Sequence, residues 1–104
     1  MTTTETFSKL SQTARQVLPI GGEAWLFGSR ARGTARSDSD WDILILLDKA
    51  HITIDDHDNV AYPFRRMGWD IDEMINPIVY TKKDWEQMWF SPFYKNVMQE
   101  RVKL

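Results

Sequence analysis

Apolar residues near the start of the chain, Phe7, Leu10, Ala14, Val17 and Leu18, recur at three- and four-residue spacing. That is the period of one helix face, and it predicts an amphipathic helix over residues 2–18. Thr2-Thr3-Thr4-Glu5 fits a capping box at its start, and Pro19 with Gly21-Gly22 stops it. The segment Glu23-Ala24-Trp25-Leu26-Phe27 is short and flanked by glycines, which reads as a strand. Gly28 to Ser39 has no apolar period and reads as a loop with room for one helical turn. Asp40 to Leu47 is the clearest strand: Ile43-Leu44-Ile45-Leu46-Leu47 is apolar on both faces and belongs at the centre of a covered sheet.

Beyond Asp48-Lys49 the pattern weakens. Residues 53–67 read as a helix capped by Thr53 or Asp55 and limited by Pro63. Trp69 to Tyr80 alternates, which predicts a third strand or a bent pair, with Pro77 at a bulge or an edge. Thr81-Lys82-Lys83-Asp84 caps a helix carrying Trp85, Met88 and Trp89 on one face. Ser91-Pro92 caps a last helix through Val97 and Met98 toward Val102. The order helix, strand, loop, strand, helix, strand, helix predicts an α/β (α+β) fold, a short mixed β-sheet flanked by helices on one side. All 104 residues are expected to form a single domain.

Composition narrows the class. Hydrophobic residues make up 42% and charged residues 27%, a globular balance that argues against long-range disorder. The longest apolar run has strand length, far short of the ~20 residues of a membrane span. The first residues lack the basic and then apolar regions of a signal peptide. With no cysteine, disulfides, thiol catalysis and cysteine-based zinc sites drop out, and a cytoplasmic setting is the expectation. A net charge of −2 gives no reason to expect non-specific nucleic-acid binding.

The distribution of charge says more than its sum. Arg30, Arg32 and Arg36 crowd one loop without an acid, and Asp38, Asp40 and Asp42 follow at once without a base. Gly28 ends a strand with no side chain, so backbone amides there can approach a ligand closely. Ser29 adds a hydroxyl beside a potential helix start, where amides favour phosphate, and Arg30 and Arg32 can reach the same anion. Asp40 and Asp42, two apart on a strand, share a face. Two carboxylates on one face repel unless a hard divalent cation lies between them. Magnesium is commonly held by one or two carboxylates plus substrate phosphates, and two such ions stabilise an in-line phosphoryl displacement. Taken singly, a Gly-Ser-Arg loop or an Asp-x-Asp turn is ordinary polar chain; their combination with a buried strand is specific.

Gly28-Ser29-Arg30-Ala31-Arg32-Gly33 followed by Ser37-Asp38-Ser39-Asp40-Trp41-Asp42 resembles the signature of the polymerase-beta-like nucleotidyltransferase superfamily. It is closest to the minimal nucleotidyltransferase (MNT) family of roughly hundred-residue prokaryotic proteins. The resemblance implies transfer of a nucleoside monophosphate from ATP or another NTP to an acceptor hydroxyl, with release of pyrophosphate. On that template Asp40 and Asp42 hold Mg2+, with two ions expected. Gly28 and Ser29 hold the β- and γ-phosphates, helped by Arg30 or Arg32. A third carboxylate is expected on the next strand; Asp70, Asp72 and Glu73 are the candidates, and Asp72 is preferred as both catalytic and metal-binding. Members often act as antitoxins in toxin–antitoxin pairs beside a helical HEPN-type partner, to which they add AMP. The alternative is a catalytically weak or inactive binding module of the same fold that neutralises such a partner by contact.

Other features carry less. Trp85, Met88, Trp89, Phe90, Phe93 and Tyr94 either fill the core or leave an exposed patch for a partner or a second copy in a homo-oligomer. Asp55-Asp56-His57-Asp58 reads as acidic charge at a helix start rather than as a metal cluster. Trp41, between the two acids, is expected to pack on the opposite face of the sheet.

Overall fold

In the computed structural model, which describes residues 2–104, the opening helix α1 is Thr3–Val17. Thr2 accepts the Glu5 amide through its side chain, and Glu5 accepts the Thr2 amide in return, completing the capping box. Strand β1 (Glu23–Phe27) leads through Gly28 into a single helical turn, α2 (Ser29–Arg32), and then by a loop to β2 (Trp41–Leu47). These elements fall where the hydrophobic pattern puts them, and β2 is buried along nearly its whole length.

The next helical stretch is longer than its sequence suggests. Thr53 caps α3 (Ile54–Asp56), a π-helical segment His57–Ala61 follows, and α4 (Tyr62–Asp70) continues from it. Pro63 therefore does not limit the helix. It stands within the first turn of α4, just past the widened segment, where a missing N–H donor is tolerated. Strand β3 (Ile75–Thr81), α5 (Lys82–Glu86), α6 (Pro92–Glu100) and β4 (Val102–Lys103) complete the chain. The last helix thus stops at Glu100, and the residues after it form a short strand.

The four strands lie in the order β3-β2-β1-β4. β1 runs antiparallel to β2 and to β4, while β2 and β3 are parallel, so the sheet is mixed. Pro77 lies on the outer strand, where its lack of an N–H costs no ladder bond.

Helices cover both faces rather than one. On the first face Leu10 and Ala14 of α1 and Phe64 of α4 pack against Leu26, Trp41, Ile43, Ile45 and Ile75. On the second, Trp85 and Val97 pack against Phe27, Leu44 and Leu46, with Phe93 and Tyr94 at the margin. The alternation of β2 explains this: every one of Ile43 to Leu47 is buried, so each face needs its own layer. Burying side chains the size of Trp41, Phe64 and Trp85 contributes roughly 1.5–3 kcal/mol each. Gly68 lets α4 approach β3 closely, since a Cβ there would lie 2.4 Å from Cγ1 of Ile75. Among the described residues no helix is long and apolar enough to cross a membrane.

Candidate active site

Antiparallel pairing sets the last residue of β1 beside the first acidic residue of β2: Phe27 is the register partner of Asp42. The turn at Gly28 and the acids at the mouth of β2 therefore share one end of the sheet. Gly28 has φ +77°, a conformation glycine adopts without strain, and a Cβ there would lie 2.5 Å from Oδ2 of Asp42. The carboxylate of Asp42 is thus packed against bare backbone. On its other side, Asn76 of β3 is the register partner of Asp42 and donates Nδ2 to Oδ1 at 3.2 Å. Asp40, just before β2, is exposed, and Trp41 between the two acids is buried on the opposite face.

A third carboxylate comes from the far end of the chain. Glu100, the last residue of α6, accepts the Gly28 amide through Oε2. Arg32 donates Nη1 to both of its oxygens, at 3.3 and 3.0 Å. Burial raises the pKa of Asp42 above the ordinary aspartate value; Asn76 and Arg32 oppose the shift, and the negative charges of Asp40 and Glu100 reinforce it.

The two arginines of α2 do different things. Arg30 is almost fully covered: it donates to the carbonyls of Ser37 and Ser39, at 3.3 and 2.9 Å from Nη2, and lies 4.6 Å over the Trp41 ring. It braces the loop that delivers Asp40. Arg32 is half exposed and faces the carboxylates. Arg36 is exposed, with its amide bonded to the Ser39 hydroxyl in a turn. Ser29 heads α2 beside Gly28.

The expected third acid on a strand is corrected by where β3 begins. Residues 69 and 70 end α4, and Asp72 sits in the following turn with φ 59°, so none of Asp70, Asp72 and Glu73 stands on the strand. The helix runs past the position where the alternation of 69–80 implied a strand, and Asn76 takes the place beside Asp42. Asp72 opens instead on a groove of about 340 Å³ that it shares with Ser37, Asp38, Ser39, Trp69, Glu73 and Met74. Glu73 accepts Nε1 of Trp41 at 3.2 Å and faces Arg30 at 3.9 Å. Asp70 lines a different cleft, against α1.

Among the described residues no three carboxylate or imidazole groups converge on one point. Asp40 and Asp42 are the acids whose chemistry could hold a hard divalent cation, since the negative charge of Asp40 acts on Asp42 and is only partly offset by Arg32. Asn76 and Glu100 are the two site residues that sequence reasoning misses. The first follows from strand register and the second from a contact spanning 72 positions, neither of which leaves a local signal.

The nucleotidyltransferase domain family matches residues 7–104, and the chain belongs to that family; it is a nucleotidyltransferase. No curated protein matches the sequence significantly. Solved structures share the fold, two of them at low sequence identity. One is a crystal structure of a toxin–antitoxin with AMP-PNP, with a TM-score of 0.62 and 17% identity over 92% of this chain and 69% of that one. The other is a candidate nucleotidyltransferase from Sulfolobus solfataricus, with a TM-score of 0.56 and 21% identity over 97% of this chain and 84% of that one.

Proposed function

We propose that this chain transfers AMP from ATP to a hydroxyl group of a partner protein, in the manner of an antitoxin acting on its toxin. The acceptor oxygen bonds to the α-phosphorus, the bond to the bridging oxygen breaks, and pyrophosphate leaves. The observation that carries the reading is the packing of Asp42 against the Gly28 backbone, with Arg32 and Asp40 close by. On this reading the acid pair takes the cation and the Gly28 turn, packed against Asp42, takes the anion. Asp40 and Asp42 would hold magnesium, which when bound would supply charge stabilisation for the displacement. Arg32 and the Gly28 amide hold phosphate oxygens, with Ser29 beside them, while Arg30 keeps the Ser37–Ser39 loop in place. Asp72 lines the groove beyond that loop together with Ser37, Ser39 and Glu73. The likeness to a toxin–antitoxin crystallised with AMP-PNP supports both the donor and the kind of partner.

Calorimetric titration of ATP with and without magnesium tests this. Binding is expected to depend on the metal and to be lost in the Asp40→Ala, Asp42→Ala double variant; retained binding would refute the site. Incubation with labelled ATP and a candidate helical partner of the HEPN type is expected to label that partner, and Asp72→Ala is expected to reduce transfer.

One observation favours a second reading. Asn76 stands where an acid would complete the carboxylate set, and Trp89 and Phe90 are two-thirds exposed on the connection between α5 and α6. A module that neutralises a helical, HEPN-type partner mainly by contact would show partner binding without label.

A further inference from the structure

Glu100 has an anion's relation to the same groups that hold phosphate in the proposed function, and this inference rests on that reading. Its carboxylate accepts the Gly28 amide and two contacts from Arg32, and its side chain is mostly covered. A backbone amide is a single donor, so a carboxylate and a phosphate oxygen cannot both occupy it. In this arrangement both of its oxygens are engaged, Oε2 by the Gly28 amide and both by Arg32.

We infer that Glu100 is an internal stand-in for the nucleotide's phosphate, a carboxylate latch that fills the anion position made by Gly28 and Arg32 until a triphosphate displaces it.

Displacement does not require the helix to leave. The chain after Glu100 is clipped to β1, with Val102 opposite Leu26 and the Leu104 amide on the Ala24 carbonyl at 3.1 Å. Arg101 also lies 4.0 Å from the centre of the Trp25 ring. Rotation of the Glu100 side chain is the motion needed, while its backbone stays anchored. The freed carboxylate then stands beside a polyphosphate and Asp42, so like-charge repulsion keeps the latch open only while Arg32 is held by the nucleotide.

The test uses inorganic triphosphate without metal, and ATP with magnesium, on the full chain. Glu100→Gln keeps the shape and an acceptor for Gly28 but removes the charge paired with Arg32. It is expected to tighten triphosphate binding about tenfold, and Glu100→Ala more, because a charge-assisted bond no longer has to be broken. Arg32→Ala is expected to weaken binding in either background. Unchanged or weaker triphosphate binding by Glu100→Gln overturns the latch, as does weakening seen only with magnesium, which would give Glu100 to the ion. If either variant melts too early to titrate, the Gly28 amide resonance of the wild type decides: it is expected to shift on adding triphosphate, and a fixed resonance on saturation overturns the proposal. Metal-dependent ATP binding that requires Asp42 but ignores Glu100 would sink the latch and leave the proposed function standing. Absence of ATP binding in every variant would sink both.

Discussion

Replacing Gly28 by alanine would set a methyl group 2.5 Å from Oδ2 of Asp42, on backbone with φ +77°. Strain of that kind costs about 1–3 kcal/mol, and relief by moving Asp42 would spoil the acid pair. Gly28→Ala is therefore expected to lower stability by about 2 kcal/mol in a urea melt and to abolish ATP binding. Asp42 itself illustrates the opposite sign. Its folded-state pKa is raised by burial and by neighbouring acids, so the folded protein holds that proton more tightly than the unfolded chain does. The resulting stability is complete below the ordinary aspartate value of 3.8 and is lost as pH rises through the folded value. Asp42→Asn is expected to remove that loss, raising the melting temperature at neutral pH in a metal-free melt while forfeiting magnesium-dependent binding. An equal or lower melting temperature for the variant would contradict the assignment of Asp42 as a destabilised, function-bearing acid.

At the scale of elements, what could be read from the chain was whatever repeats locally. The capping box at Thr2, the glycine-bounded β1 and the five-residue apolar run of β2 lie where periodicity puts them, because each is decided by neighbours within one turn or one pleat. One of the two acids was legible for the same reason: strand parity alone sends Asp42 and Trp41 to opposite faces, whereas Asp40, expected on the strand, lies just before it because β2 begins at Trp41. The segment from Thr53 to Ile75 was not. Its helix passes Pro63 behind a widened turn and ends only where Asp72 takes a positive φ, both outcomes of packing Phe64 and Gly68 against the sheet. Shifting the start of β3 to Ile75 moves Asp72 off the strand and puts Asn76 in its place. The two-residue β4 carries almost no pattern of its own and exists because β1 offers it an edge.

On the scale of the whole molecule, the aromatic surplus near the C-terminus divides. Trp85 is fully buried and Phe93 and Tyr94 pack at its margin, with ring centroids 5.8 and 4.9 Å from it. Trp89 and Phe90 stack edge to face at 6.1 Å with most of their surface in solvent. Since they contribute little to the core, Trp89→Ser with Phe90→Ser is expected to change stability by under about 0.5 kcal/mol, and to weaken capture of the proposed partner at least tenfold. A large loss of stability would make them part of the fold instead. The sheet also has two guarded margins: a proline interrupts the outer line of β3, and a strand of only two residues, ending beside a lysine, closes the flank of β1. Neither border offers a long run of vacant amides and carbonyls on which a foreign strand could crystallise. The bare tryptophan and phenylalanine rings thus stand on a loop away from both sheet borders, so stickiness and templating reside in different parts of the fold.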